Sequence, residues 1–376
     1  MIKDIAPIIT FIISMAVVYL VHPLLVKLAL KKDIVDKPNA RRLNRIPIPV
    51  LGGVGVFLGF MASLPTTAAI TGTAIPYICI AAIIAIFCMG LVDDIKDLRP
   101  STKFIIQITA IALLTTLCDL RIDNLHGVLG IYEIADYISI PLTIFACVGL
   151  INAINLIDGI DGLSSGYCIA SGVIFFVFSA IQGNYTNMLM SSAIVGALVP
   201  FFFFNVFGKK NKMFIGDSGS HLLGVIFSIL TLRAIHDYNP ADANINSGIM
   251  AFCLAVMAHP VMDTLRVMSQ RISKGTSPFK ADKTHLHHAI ISLGFSHLQT
   301  TLIITGLNLL VIATWHITFV NGLTPTAQFF TTLAAAVFFI VTPYFGIVRY
   351  KEKYPESFRK LIEKREKEKE IKKQTA

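Results

Sequence analysis

Charge is scarce in this sequence. Asp, Glu, Lys and Arg make up 15% of its 376 residues, against about a quarter in a soluble domain. Too few charged side chains are present to clothe a water-exposed surface of that size. Cysteine supplies no scaffold. Cys79, Cys88, Cys118, Cys147, Cys168 and Cys253 lie in or at the ends of apolar runs and none belongs to a C-x-x-C pair. They read as small apolar helix residues, with no sign of a disulfide framework. No internal repeat is visible either.

What is abundant is hydrophobic sequence, 54% of the chain with a mean hydropathy of +0.69. Apolar segments fall at about 5–29, 50–70, 74–92, 102–119, 138–154, 163–182, 187–206, 219–236, 246–268, 298–320 and 326–348. Each is close to the ~20 residues that cross a bilayer core. The expected fold is all-α, a polytopic membrane protein of about eleven spans. Residues 1–350 would form one transmembrane domain and 351–376 a charged tail, helical or disordered. The first run is too long for a cleavable signal and reads as a span. Residues 120–138 could form a small hairpin around His126-Gly127.

The distribution of basic residues tests the span count. With the loop after the first span placed in the cytoplasm, that side collects 29 of the 32 Lys and Arg, leaving Lys3, Arg121 and Arg233 outside. A wrong count would scramble this partition. The expectation is an external N-terminus and a cytoplasmic C-terminus. The net charge of +9 then reflects topology and anionic lipid, and no nucleic-acid partner is expected.

Five stretches gather polar chemistry on that same side: "KPNARRLNRIPIPVLGG" (37–53), "LVDDIKDLRPSTK" (91–103), "NAINLIDGIDGL" (152–163), "KMFIGDSGS" (212–220) and "SPFKADKTHLHHA" (277–289). One acid at a helix end is usually just solvated; acid-rich clusters at several ends on one side point to a site. Asp93, Asp94 and Asp97 suit a hard cation such as magnesium, and Lys96, Arg99 and Lys103 suit phosphate. In "INAINLIDGIDGL" (151–163) a polar residue recurs every third place. On a helix that spacing drifts about 60° per step, so the four share no face. The stretch reads as a helix ending near Ile157 and a glycine loop over Asp158–Gly162. Asn155 would face inward, with Asp161 returning toward it. Asp217 could be a metal ligand at a helix N-terminus, which also favours phosphate. "HLHH" could bind zinc, move protons or hold phosphate; no cysteine lies nearby, which ranks zinc last. His22, His126, His221, His236, His259, His297 and His316 are scattered and read as structural.

In combination and order, "LVDDIKD", "NAINLIDGIDGL", "FIGDSGS" and "HLHH" resemble the polyprenyl-phosphate N-acetylhexosamine-1-phosphate transferase family. The resemblance runs from about residue 31 to 300. "PVLGG" and "HLHH" look like the undecaprenyl-phosphate N-acetylglucosaminyl branch rather than the branch using UDP-MurNAc-pentapeptide. It implies transfer of GlcNAc-1-phosphate from UDP-GlcNAc to undecaprenyl phosphate, releasing UMP, at the cytoplasmic face of a bacterial inner membrane. Such a step starts an O-antigen, common-antigen or teichoic-acid chain. Magnesium is the implied cofactor, with manganese as a substitute, and a homodimer is compatible.

The resemblance also implies roles. Asp217, Asn155 and Asp94 would serve the metal. Asp93, Asp94, Asp158, Asp161, Lys103, Arg271, His285, His287 and His288 would be catalytic. Phe214, Asp161, Asn205, Gly162 and Asp97 would bind substrate. Another UDP-HexNAc or UDP-MurNAc-pentapeptide is the near alternative. From other classes, Gly216-x-Ser218-Gly219 would suit an intramembrane serine protease, and buried acids a cation-coupled transporter, whose acids should lie near the membrane midplane.

Overall fold

The computed structural model describes residues 2–36, 47–238, 248–278 and 283–374. The basic cluster at Lys37, Arg41, Arg42 and Arg45, and Lys280, lie outside the described residues. Eight long helices come first: α1 (Ile2–Lys31), α2 (Gly52–Thr71), α3 (Tyr77–Lys96), α4 (Pro100–Leu117), α5 (Asp136–Ile157), α6 (Leu163–Ile181), α7 (Tyr185–Phe207) and α8 (Gly216–His236). A bent pair follows, α9 (Ile249–Val256) and α10 (Ala258–Ser273), then the short α11 (Leu286–Ser292) and α12 (His297–Val320). The last span, α13 (Pro325–Lys353), carries a π turn over Val337–Val341, and α14 (Pro355–Gln374) completes the chain.

Ten of these helices are long and apolar enough to cross a membrane, and the bent pair makes an eleventh. Each apolar segment read from the sequence thus becomes a helix or, once, a pair of helices. The protein is a multi-pass membrane protein. Large apolar side chains such as Leu20, Phe145, Phe203 and Leu302 point outward, as expected where lipid replaces water. The most enclosed span is α8, which packs against α2, α3 and α5.

The ninth span departs from expectation: it bends by 72° around Met257. A break inside a membrane protein frees backbone groups that must find partners. Asn308 of α12, 2% exposed, supplies them. Its Oδ1 accepts from the His259 N–H at 2.9 Å, and its Nδ2 donates to the carbonyls of Ala255 and Val256. The Tyr167 hydroxyl donates to Val256 as well. Pro260 falls in the first turn of α10, where no N–H is needed. Asn308→Ala should therefore destabilise the protein by about 1–3 kcal/mol, measured by thermal unfolding in detergent. An unchanged melting temperature would show that the break is satisfied some other way.

Two smaller elements also differ. A two-residue ribbon, β1 (Val35–Asp36) with β2 (Ile48–Pro49), pairs antiparallel. It leads straight into "PVLGG", and Phe214 donates to the Pro49 carbonyl. The hairpin expected over 120–138 reduces to one bridge, Val128 to Ile131, because the segment turns repeatedly through positive φ at Asp119, His126, Gly127, Leu129 and Gly130. The tail helix α14 is anchored on the turn before α12. Arg365 donates to the Leu293 carbonyl at 2.9 Å and stacks on Phe295.

Candidate active site

Alternating spans bring the end of α3, the start of α4, the end of α5, the start of α6, the end of α7 and the start of α8 to one side of the bundle. That is where the polar motifs meet. The acids of these motifs lie at helix ends, whereas the transporter reading expects them near the midplane.

The centre is Asp217, on the second residue of α8, its side chain 41% exposed. Asn155, in the last turn of α5, donates through Nδ2 to Asp217 Oδ1 at 2.8 Å and to Ser220 Oγ at 2.7 Å. In this arrangement Asn155 orients the carboxylate through its nitrogen. Lys103, in the first turn of α4, is ion-paired with the buried Asp93 and lies 3.9 Å from Asp217 Oδ2. Asp93 also accepts from the Leu98 N–H at 2.7 Å.

Asp94 has a different task from the one its neighbour suggests. Its two oxygens accept from the backbone N–H groups of Asp217 (2.7 Å) and Ser218 (2.9 Å). A carboxylate there satisfies the unpaired donors of the α8 N-terminus and complements its dipole. These bonds give Asp94, expected as a metal ligand, a structural task at a terminus also expected to favour phosphate. Asp94 locks the start of α8, and with it Asp217. Gly90, one turn earlier on α3, lets the two helices touch: a Cβ there would sit 2.6 Å from the Asp217 carbonyl oxygen. On the other side Gly52 and Gly53 donate to the carbonyls of Phe214 and Ile215, which fixes Phe214 beside the site. Lys212 Nζ lies 5.9 Å from the Phe214 ring centre.

The loop after α5 begins at Asp158, as the drifting polar rhythm implies. Asp158 is hydrogen-bonded by Ser164. Burial, reinforced by the charges of Asp217 and Asp161, pushes its carboxyl up to about 7. Asp161 does not return toward Asn155 but pairs with Lys212 (2.7 Å) and His297 (2.8 Å). Burial alone would raise Asp161, yet those two bonds outweigh it and hold the carboxyl below its usual range. Gly162 (φ +80°) is buried against Phe202 and Val206. Asn205 is also buried; it accepts from Gly162 N at 2.7 Å and donates to the Met213 carbonyl at 2.9 Å. Gly162 and Asn205 are thus bonded to each other and hold the shape of the loop. Asp97 caps α3 in the left-handed region, exposed.

The opposite pKa directions at the loop give a pH test. Asp158 is raised, so its contribution to stability is fully present below about pH 4 and is lost as pH rises through about 7. Asp161 is lowered, so its contribution changes only in acid below that window. Thermal unfolding of metal-free protein between pH 5 and 8 should show stability falling with pH, and Asp158→Asn should flatten that fall. Parallel curves for the two proteins would contradict the buried acid.

"HLHH" packs onto this loop. A Cβ on Gly159 would collide with the His287 ring. Burial, with His288 and His285 adding to it, keeps His287 well below its usual value, so it is neutral rather than a phosphate-holding imidazolium. Among the described residues neither of its ring nitrogens has a hydrogen-bond partner. His288 lies against it, ring centres 4.2 Å apart. His285 is bonded to Asp263. Arg271 is buried at the end of α10 and donates to the Pro278 carbonyl at 2.6 Å.

Lys212, His297 and Asp263 join the site through the fold; His297, expected to be structural, pairs with Asp161. Ser218, the nucleophile of the protease reading, is fully buried, and no histidine is hydrogen-bonded to its hydroxyl among the described residues. An open apolar recess of about 530 Å³ runs along α13, lined by Phe330, Leu333, Val337 and Phe338 among others. None of its lining residues belongs to the helix-end cluster.

Comparison with known proteins finds relatives for the chain. The sequence profile described as "Glycosyl transferase family 4" matches residues 76–235. The chain is 30% identical over 307 residues to the undecaprenyl-phosphate alpha-N-acetylglucosaminyl 1-phosphate transferase of Yersinia pestis, covering 78% of each chain. It is 30% identical to the protein of the same name from Escherichia coli (strain K12), covering 74% of this chain and 75% of that one. It is 28% identical to the probable undecaprenyl-phosphate N-acetylglucosaminyl 1-phosphate transferase of Bacillus subtilis (strain 168), covering 79% and 80%.

Proposed function

The chain belongs to glycosyl transferase family 4, and on that premise we propose that it transfers GlcNAc-1-phosphate from UDP-GlcNAc to undecaprenyl phosphate, releasing UMP. The observation that carries this reading is the meeting of Asp93, Lys103, Asn155 and Asp217 at one end of the bundle. A water-soluble donor and a lipid acceptor can only meet at such an end. The partition of basic residues supports placing it on the cytoplasmic face of the bacterial inner membrane.

Magnesium fits the donor set. Asp217 offers hard carboxylate oxygens on a half-exposed side chain, and magnesium is typically held by one or two carboxylates together with waters and substrate phosphates. In keeping with so open a site, no cage of three or more His, Cys, Asp or Glu occurs among the described residues. When bound, the ion would neutralise the donor diphosphate and stabilise departing UMP. The protein's own groups do the rest. Asn155 aims Asp217, Asp94 fixes the helix that carries it, and Lys103 offsets phosphate charge beside Asp93. Phe214 offers a ring for the uracil, and Asp161 with Lys212 forms the adjoining wall. The acceptor phosphate has a second pKa of about 6. It is largely dianionic at neutral pH and attacks directly, without a strong base.

The test is release of UMP by purified protein given undecaprenyl phosphate, magnesium and a panel of UDP-sugars. Release with UDP-GlcNAc is expected. Release only with another UDP-sugar would change the substrate and keep the reaction; no release with any would overturn the reading. Trapping a phosphorylated protein with UDP-GlcNAc alone would overturn direct attack.

A further inference from the structure

We infer that Asp263 is a positioning residue for His285, holding the ring so that Nδ1 carries a proton and Nε2 is the edge presented to substrate. The inference rests on the transferase reading for what substrate that is. Asp263 and Arg266 sit on α10 with side chains 0% and 2% exposed. The oxygens of Asp263 gather four contacts: Arg266 Nη2 to Oδ1 at 2.5 Å, His285 Nδ1 to Oδ2 at 2.8 Å, and the Leu286 N–H at 3.1 and 3.3 Å. Arg266 is itself clamped. It donates to the Thr284 carbonyl at 2.7 Å and to Gln270 at 2.9 Å, and its guanidinium stacks 3.6 Å from the centre of the Tyr344 ring.

A carboxylate paired with a buried guanidinium is an acceptor only. Facing such a group, Nδ1 must be the protonated nitrogen, as with any histidine whose other edge does the work. Stability alone gives little reason for the arrangement. A buried ion pair can often be replaced by apolar residues at no loss, and a cap on α11 needs one acceptor rather than a locked acid, base and ring. The ring so fixed lies parallel to His287, centres 5.7 Å apart, and His287 touches the Asp158–Gly162 loop at Gly159. Asp263 thus sets the geometry of "HLHH" against the loop that borders Asp217.

The isosteric variant Asp263→Asn separates this from a structural role. Its amide oxygen can still accept from Leu286, but its NH2 would face Nδ1 and force the proton to Nε2. Expected is a fall in kcat for UMP release of about 100-fold, with KM for the UDP-sugar changed less than about threefold. His285→Ala should fall similarly, and the double variant should be no worse than His285→Ala alone. Multiplying losses, or an Asp263→Asn enzyme within threefold of the unaltered protein, would overturn the proposal. A second measurement needs no change at Asp263: ¹⁵N signals of labelled histidine in the unaltered protein, with His285 assigned by its loss in His285→Ala. A protonated Nδ1 is expected; a neutral ring protonated only on Nε2 would overturn the proposal even if Asp263→Asn does not fold. If the unaltered protein releases no UMP from any UDP-HexNAc, the transferase reading fails, and the ¹⁵N measurement still decides the Asp263–His285 pair.

Discussion

Replacing Asp217 by asparagine should reduce UMP release on the order of 10³-fold, about 4 kcal/mol of transition-state stabilisation. The substitution keeps shape and removes charge. Asp217 is the carboxylate that Asn155 aims and Lys103 faces, and it stands free of the α8 cap because Asp94 takes that task. The protein should fold normally, since a half-exposed side chain on the second residue of a helix carries little packing. Steady-state UMP release with undecaprenyl phosphate is the measurement. Activity within tenfold of the unaltered protein would remove Asp217 from the centre of the account.

Adding one methyl group at Gly90 should cost nearly as much without touching any charged group. A Cβ at Gly90 would sit 2.6 Å from both the Asp217 carbonyl oxygen and Ser218 Cα, so α3 and the start of α8 must part. Asp94 lies one turn further along α3, and its bonds to the Asp217 and Ser218 N–H groups would stretch with them. A shift near 1 Å in a catalytic group costs about 10²-fold, and overpacking of this kind costs about 1–3 kcal/mol of stability. Gly90→Ala is therefore expected to lower UMP release about 100-fold with a modest drop in melting temperature. Gly149→Ala is the control, because its added Cβ meets nothing within 4 Å. Equal activity for the two variants would contradict the close-contact argument.

The spans were legible because a bilayer demands long apolar runs, and that demand is written locally. The break at Met257 was not, because the residue that satisfies it, Asn308, is about fifty positions away. The end of α5 could be read from the angular drift of Asn152, Asn155, Asp158 and Asp161, a local property again. What each acid does could not. Asp93 and Asp94 are neighbours in sequence, yet one pairs with Lys103 and the other caps α8; only the packing of α3 against α8 separates their tasks. Likewise Asn205 looks like a polar ligand at a helix end until its two bonds to Gly162 and Met213 are seen. Lys212 and His297 carried no motif, since their partner Asp161 reaches them across the fold. Asp263 and Arg266 did carry a signal: an acid and a base three residues apart in an apolar segment, where charge is costly and usually functional.

The central claim is that the helix-end cluster around Asp217 holds a divalent ion for phosphoryl transfer. Manganese electron paramagnetic resonance tests it most directly. Titrated into purified protein with UDP-GlcNAc present, manganese should bind at one site and lose its free-ion signal, and Asp217→Asn should abolish that binding while Asp97→Asn leaves it intact. Equal manganese binding by the unaltered protein and Asp217→Asn would contradict the claim.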